Sequence, residues 1–309
     1  MSKTAFVFPG QGSQTVGMMS DMAEAYPSIQ ESFAEASDAL GFDLWKVVQE
    51  GPLEELNKTS ITQPALLTAS VAIWREYCAQ GGAAPDFIAG HSLGEYTALT
   101  CAGVFTLADA ASLVHARGTY MQQAVPEGAG SMAAIIGLDD DKVVELCEEV
   151  AEGQVVSAVN FNSPGQVVIA GHAEAVDRAI KGCKAKGARM GMPLPVSVPC
   201  HCSLMQDAAG QLADKLNATP MNSPVIPVIN NVDVAIVSDV DGIRDALIRQ
   251  LYGPVRWTET IQKLASEGVT NIIECGPGKV LSGLTKRIDK SIGGTAINTP
   301  DSLTAVLNK

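Results

Sequence analysis

Residues 87 to 99 read FIAGHSLGEYTAL, and no other stretch constrains the fold as tightly. A short apolar run ends at Gly90 and helical spacing begins by Gly94, so only His91, Ser92 and Leu93 are left for the turn. A strand that feeds a helix through so tight a turn belongs to an α/β architecture. Gly90-His91-Ser92-Leu93-Gly94 also fits G-x-S-x-G, the nucleophile elbow. In that elbow the serine oxygen is lifted out of the sheet beside the amides of a helix N-terminus. A plain turn serine is the alternative reading, and the strand before and helix after favour a nucleophile.

The neighbouring segments agree. TAFVF (4–8) is a short strand closed by Pro9 and Gly10, and helical patterns follow to about residue 50 with a break near GFD. TQPALLTASVAIWREYCAQ predicts a helix with Thr62 as cap and Pro64 in its first turn. TLADAASLVHARGTYMQQAV predicts another, capped by Thr106. Strand–helix alternation of this kind favours a mostly parallel sheet covered by helices.

Past residue 126 the rhythm changes. SMAAIIGL, QVVSAVNF, QVVIAG and ARMGMPLPVS read as strands, with DDDKVVELCEEVAEG and AEAVDRAIKGCKAKG as helices between them. The order is β-α-β-β-α-β, the split plan of a ferredoxin-like unit. The expectation is a ferredoxin-like subdomain at 127–196 inserted into a large α/β catalytic domain formed by 1–126 and 197–309. PVIPVINNV, the helices of IRDALIRQLYGPVRWTETIQKLASEG and NIIECGPGKVLSGLTKRI then resume the alternation. The parallel-sheet core is expected to be α/β-hydrolase-like. It is a relative at most, because hydrolases of that fold carry their histidine near the C-terminus and this chain has none there.

Composition narrows the functions. A formal net charge of −13 argues against nucleic acid, which requires basic patches. Seven cysteines without framework spacing read as reduced thiols. MSKTAFVFPG enters a strand pattern directly, without the basic and apolar regions of a signal peptide, and no apolar run approaches membrane-helix length. The expected location is cytoplasmic, with no membrane partner.

A serine nucleophile needs a base. Of the four histidines, His91 should point away from the nucleophile and pack. His115 sits among apolar helix positions, and His172 merely starts a helix. His201, in PVSVPCHCSLM where the inserted unit returns to the large domain, is the best candidate by position and elimination. Arg117 lies beside the apolar stripe of its helix, where a guanidinium must find an anion. That anion is either an acid of this chain or a substrate carboxylate held bidentately. Gln11, in FPGQGSQTVG, has neither the phosphate-loop spacing nor its lysine. It is a polar turn residue or a contributor to an oxyanion site. Cys200-His201-Cys202 lacks the partner ligands that zinc requires, so no metal is expected.

With FVFPGQGSQ, GHSLGEY, MQQAVPEG, FNSPGQVVIAGH, VPCHCSLM and ECGPGKVL in that order, the chain resembles the malonyl-CoA:acyl carrier protein transacylases of dissociated bacterial fatty-acid synthesis. The resemblance runs over nearly the whole length. It implies Ser92 as nucleophile, His201 as base and Arg117 as partner of the malonyl carboxylate. It further implies an oxyanion hole from Gln11 and the Leu93 amide, and a main-chain carbonyl at Gln250 that orients the histidine in place of an aspartate. One position departs: Cys200 stands where the family usually has serine. The implied partners are malonyl-CoA or coenzyme A and acyl carrier protein, with a monomer as the working unit. Thioester is exchanged for thioester, so the reaction calls for no cofactor.

Overall fold

Ala5, Phe6, Val7 and Phe8 are all buried, so the first strand, β1 (Lys3–Phe8), carries apolar side chains on both faces. Only the middle of a sheet covered on both sides accommodates that pattern. The computed structural model, which describes residues 2–196 and 198–308, has β1 in that position. Helices α1 (Ser20–Ala25), α2 (Pro27–Leu40), α3 (Leu44–Glu50), α4 (Leu53–Leu56) and α5 (Thr59–Ala79) follow. Next come β2 (Phe87–Gly90), α6 (Leu93–Cys101) and α7 (Leu107–Gln123). A middle segment holds β3 (Gly130–Ile136), α8 (Asp140–Val150), β4 (Val156–Ser163), β5 (Gln166–His172), α9 (Ala173–Gly182) and β6 (Met190–Pro193). After it lie α10 (Gln206–Ala218), β7 (Val228–Ile229), α11 (Val240–Gln250) and α12 (Trp257–Ser266). The chain closes with β8 (Val269–Cys275), α13 (Val280–Ile288), β9 (Gly293–Ile297) and α14 (Pro300–Leu307).

Among the described residues two separate sheets result, in a mixed α/β fold. One is parallel throughout, in the order β7-β2-β1-β8-β9. The other is antiparallel, in the order β4-β5-β3-β6. Phe6, Phe8 and Ile88 join the core built with α2, α5, α6 and α7, while Ala5, Val7 and Ala89 join Trp257, Ile261 and Leu281 in another cluster. Alternation divides the antiparallel strands in the same way. Ala133, Ile135, Val167 and Ile169 pack with Val143 and Leu146 of α8 and Val176 of α9. Met132, Val168 and Ala170 belong instead to a cluster with Cys202.

This topology positions the site. In the β1–β2 register Phe8 lies opposite Gly90, so the loops bearing Gln11 and Ser92 leave the sheet side by side. Open parallel sheets gather ligands at that carboxyl edge. The elbow is tight enough to demand its glycines. A Cβ on Gly90 would lie 1.8 Å from the Gly94 backbone, and one on Gly94 only 2.1 Å from the Phe8 carbonyl oxygen.

Some boundaries depart from the sequence reading. Helix α5 begins at Thr59, so Thr62 is not its cap and Pro64 lies inside it. Proline has no N–H for the carbonyl four residues back. The Ser60 carbonyl is instead bonded by His115 Nδ1, at 2.8 Å. Strand β6 is shorter than ARMGMPLPVS suggested, and the expected strand end and domain boundary at residue 197 lie outside the described residues. The same holds for the domain limits at 1 and 309. Gly293 and Gly294 blur the strand pattern of β9, which the sequence alone does not reveal.

Candidate active site

Ser92 sits at the N-cap of α6 with φ 53° and ψ −108°, a conformation that costs a non-glycine residue free energy. Asn231 braces it from both sides. Its Oδ1 accepts from the Ser92 N–H at 2.8 Å, and its Nδ2 donates to the Gly90 carbonyl at 2.7 Å. The side chain is thereby held half-buried at the edge of a cavity of about 400 Å³, bordered also by Gln11, Leu93, Arg117 and His201.

His201 Nε2 lies 2.7 Å from Ser92 Oγ, and its Nδ1 lies 2.7 Å from the Gln250 carbonyl oxygen. A carbonyl can only accept, so Nδ1 carries the proton and Nε2 presents its lone pair to the hydroxyl. Like Ser92, His201 has a positive φ, 66°, and its backbone N–H is tied to the Leu251 carbonyl at 3.1 Å. Burial, and then the nearby Arg117 charge, push its pKa down to about 3. The ordinary value is about 6.5, so the folded protein keeps this imidazole neutral where an exposed one would protonate. Acylation measured as kcat/KM is therefore expected to stay level as pH falls through 6.5, declining only well below it. A clear inflection near 6.5 would contradict a buried neutral base. The same shift makes His201 a source of acid instability. Between about 6.5 and about 3 the unfolded chain takes up the proton and the folded one does not.

Arg117, on α7, is 1% exposed. Its Nη1 donates to Gln63 Oε1 at 2.8 Å, and Nη2 donates to Gln250 Oε1 at 3.0 Å and to Ser92 Oγ at 3.4 Å. Its Cζ is 5.1 Å from the Tyr96 ring centroid, a cation–π contact. Among the described residues Arg117 joins no ion pair, and its Nε has no partner. Of the two anions open at the sequence level, an acid of this chain is thus not the direct partner. A buried guanidinium with only neutral acceptors is costly to maintain unless a ligand completes it.

The remaining candidates fall as follows. Gln11 and Leu93 both border the cavity, and Leu93 is the first residue of α6, where backbone N–H groups lack intrahelical acceptors. His91 packs, with its ring 5.5 Å from that of Trp257 and Nε2 2.8 Å from Asn162 Oδ1, yet it also borders the cavity. His172 is the N-cap residue of α9, and its Nδ1 accepts from the Val155 N–H. Cys200 Sγ donates to the Val198 carbonyl and Cys202 Sγ to the Pro199 carbonyl. Burial pushes these thiols up to about 12 and about 11, so both stay protonated. Among the described residues no group of three His, Cys, Asp or Glu side chains is disposed to hold a metal.

The sequence reading missed Gln63, Asn231 and Glu95, and it used only the main chain of Gln250. A polar residue in a largely apolar helical context, such as Gln63 in ITQPALL, was the available signal.

A serine hydroxyl facing an unprotonated imidazole nitrogen on an α/β scaffold is the equipment of enzymes that carry acyl groups as serine esters. The chain belongs to the acyl transferase domain family, whose model matches residues 5–295. It is 62% identical over 307 residues, 99% of each chain, to the malonyl CoA-acyl carrier protein transacylase of Escherichia coli. Among solved structures, it superposes with a TM-score of 0.98 on a malonyl-transacylase in complex with its type II PKS acyl-carrier protein, at 57% identity and 99% coverage of both chains. An acyl carrier protein S-malonyltransferase from Vibrio cholerae gives a TM-score of 0.96 at 59% identity, covering 99% of this chain and 100% of that one.

Proposed function

We propose that this chain moves a malonyl group from malonyl-CoA to the phosphopantetheine thiol of acyl carrier protein, through a malonyl-serine ester, and so feeds fatty-acid elongation. The observation that carries the choice of acyl group is Arg117: a buried guanidinium without a carboxylate partner among the described residues, its Nη2 3.4 Å from Ser92 Oγ. An acyl group on that oxygen brings its distal carboxylate within reach of the guanidinium. Identity of 62% to a malonyl CoA-acyl carrier protein transacylase supports the same activity.

In the first stage His201 Nε2 takes the Ser92 proton as Oγ bonds to the thioester carbonyl carbon. The oxygen of that carbonyl gains the negative charge, and the Gln11 and Leu93 amides receive it. The C–S bond then breaks, and the imidazolium returns its proton to the departing coenzyme A sulfur. The second stage runs in the opposite sense: His201 deprotonates the carrier thiol, its sulfur attacks the ester, and Ser92 recovers the proton. The Gln250 carbonyl keeps the proton of His201 on Nδ1 throughout. One thioester replaces another, so neither metal, redox cofactor nor energy source enters the balance.

The β-α-β-β-α-β segment is a ferredoxin-like subdomain at 127–196, inserted into a hydrolase-like large domain. Its antiparallel order β4-β5-β3-β6 supports that reading. All the acting side chains come from one chain, which suits a monomer, and no described helix is long and apolar enough to cross a membrane. A cytoplasmic location fits the substrates. Cys200, in the place of the family's serine, contributes a small protonated side chain that leaves the reaction unchanged.

A serine hydrolase would use the same nucleophile and base with water as acceptor. Incubation with malonyl-CoA alone and with holo carrier protein separates the two. The expected result is a stable malonyl adduct on the enzyme without the acceptor, discharged to the carrier when it is added. Rapid release of free malonate without carrier would overturn the transferase reading.

A further inference from the structure

One amide ties together the residues behind Ser92. Gln250, fully buried at the end of α11, donates from Nε2 to the Ser92 carbonyl at 2.9 Å and to Glu95 Oε2 at 2.9 Å. Its Oε1 accepts from Arg117 at 3.0 Å, and its own carbonyl accepts from His201 at 2.7 Å. The two ends of a glutamine amide have nearly the same shape and opposite hydrogen-bonding character. Turned by half a rotation, Gln250 would point N–H groups at a guanidinium that has only N–H groups to offer.

Glu95 opposes that rotation. It lies on α6 one turn after Ser92 and is 2% exposed. The same Oε2 that accepts from Gln250 also accepts from the Asn231 N–H at 2.9 Å. Asn231 is in turn the residue that braces the elbow. A carboxylate oxygen facing Gln250 tolerates the N–H end of the amide and repels the carbonyl end. Burial raises the Glu95 carboxyl to about 7, against the pull of Gln250, Asn231 and Arg117. Because both donors converge on Oε2, a proton on this group occupies Oε1 and leaves the accepting oxygen as it is.

We infer that Glu95 is a positioning residue for acyl-group selection: it sets the amide of Gln250 so that its oxygen holds Arg117 in place for the substrate carboxylate. The inference rests on Arg117 as the malonyl clamp. It assigns Glu95 an effect on malonyl that a merely structural residue would not have, because acetyl makes no use of the guanidinium.

The test compares malonyl-CoA and acetyl-CoA in Glu95→Ala, Glu95→Gln and Glu95→Asp, reading kcat/KM for Ser92 acylation by each. Glu95→Ala should lower the malonyl value roughly tenfold, the scale of one hydrogen bond to a charged group, and the acetyl value much less. Glu95→Gln retains an acceptor oxygen at the same reach and should keep the malonyl-to-acetyl ratio close to wild type. Glu95→Asp withdraws that oxygen by one methylene while keeping the charge, and should lose the ratio. An unchanged ratio in Glu95→Ala, even with both rates reduced, would overturn the inference. If the alanine variant does not fold, the other two decide: a ratio kept by Asp and lost by Gln means that charge rather than the accepting oxygen matters, which also overturns it. Wild-type protein in the same assay isolates the premise. Absence of a malonyl adduct on Ser92 defeats the transferase reading itself, whereas a normal adduct with a ratio indifferent to Glu95 defeats only this inference.

Discussion

Arg117→Ala should reverse the acyl preference, with malonyl-CoA turnover collapsing while acetyl-CoA turnover holds or rises. Malonyl differs from acetyl by one carboxylate. A pocket rejects the smaller group strongly only when that group leaves a polar partner unpaired. The guanidinium meets that condition, since burial denies it water and its partners are the neutral oxygens of Gln63, Gln250 and Ser92. A malonyl carboxylate gives it charge-assisted hydrogen bonds, each contributing on the order of 1.5–3 kcal/mol, so losing them should cost malonyl transfer roughly ten- to a hundredfold or more. Acetyl loses nothing, because it made no such bond, and it no longer confronts a desolvated charge. Lysine should rescue only in part, since an ammonium does not reproduce the planar fork. A second readout comes from the base. Arg117 is one of the causes that lower the His201 pKa, so its removal should move the acid limb of acylation toward higher pH. The measurement is the ratio of the two specificity constants, with the pH profile beside it. A fall by the same factor for both substrates would make Arg117 a structural residue.

Ser92→Ala should give no malonyl increment in intact-mass spectra after exposure to malonyl-CoA, and transfer to carrier protein should fall to background. Among the described residues no other hydroxyl combines an elbow position with an imidazole nitrogen at 2.7 Å to replace the lost nucleophile. His201→Ala keeps the hydroxyl but removes the proton acceptor from both stages. Both should slow by roughly a thousandfold or more, because residues that act as a unit fail together. Loss confined to one half-reaction would count against a shared base, and a full adduct on the alanine-92 protein would move the nucleophile elsewhere.

Local physics is legible in the chain. The elbow at Ser92, the strands TAFVF and FIAG, the Thr106 cap and the β-α-β-β-α-β order all follow from interactions among residues close in sequence: periodicity, turn chemistry and capping. The start of α5 did not follow, because a histidine 55 positions away bonds the Ser60 carbonyl, whose usual N–H partner Pro64 lacks. His201 could be chosen by elimination, and Gln250 by resemblance, but no spacing brings either to Ser92, 109 and 158 positions away. Glu95, Asn231 and Gln63 are ordinary polar letters until burial removes water and leaves each only the partners packed around it. The sequence by itself determined most of the segments that are strands and helices, though not β9 or the start of α5, and which serine stands on the turn between them. Tertiary structure alone decided which distant polar groups meet behind that serine, because their partners are selected by a shared desolvated space and not by separation along the chain.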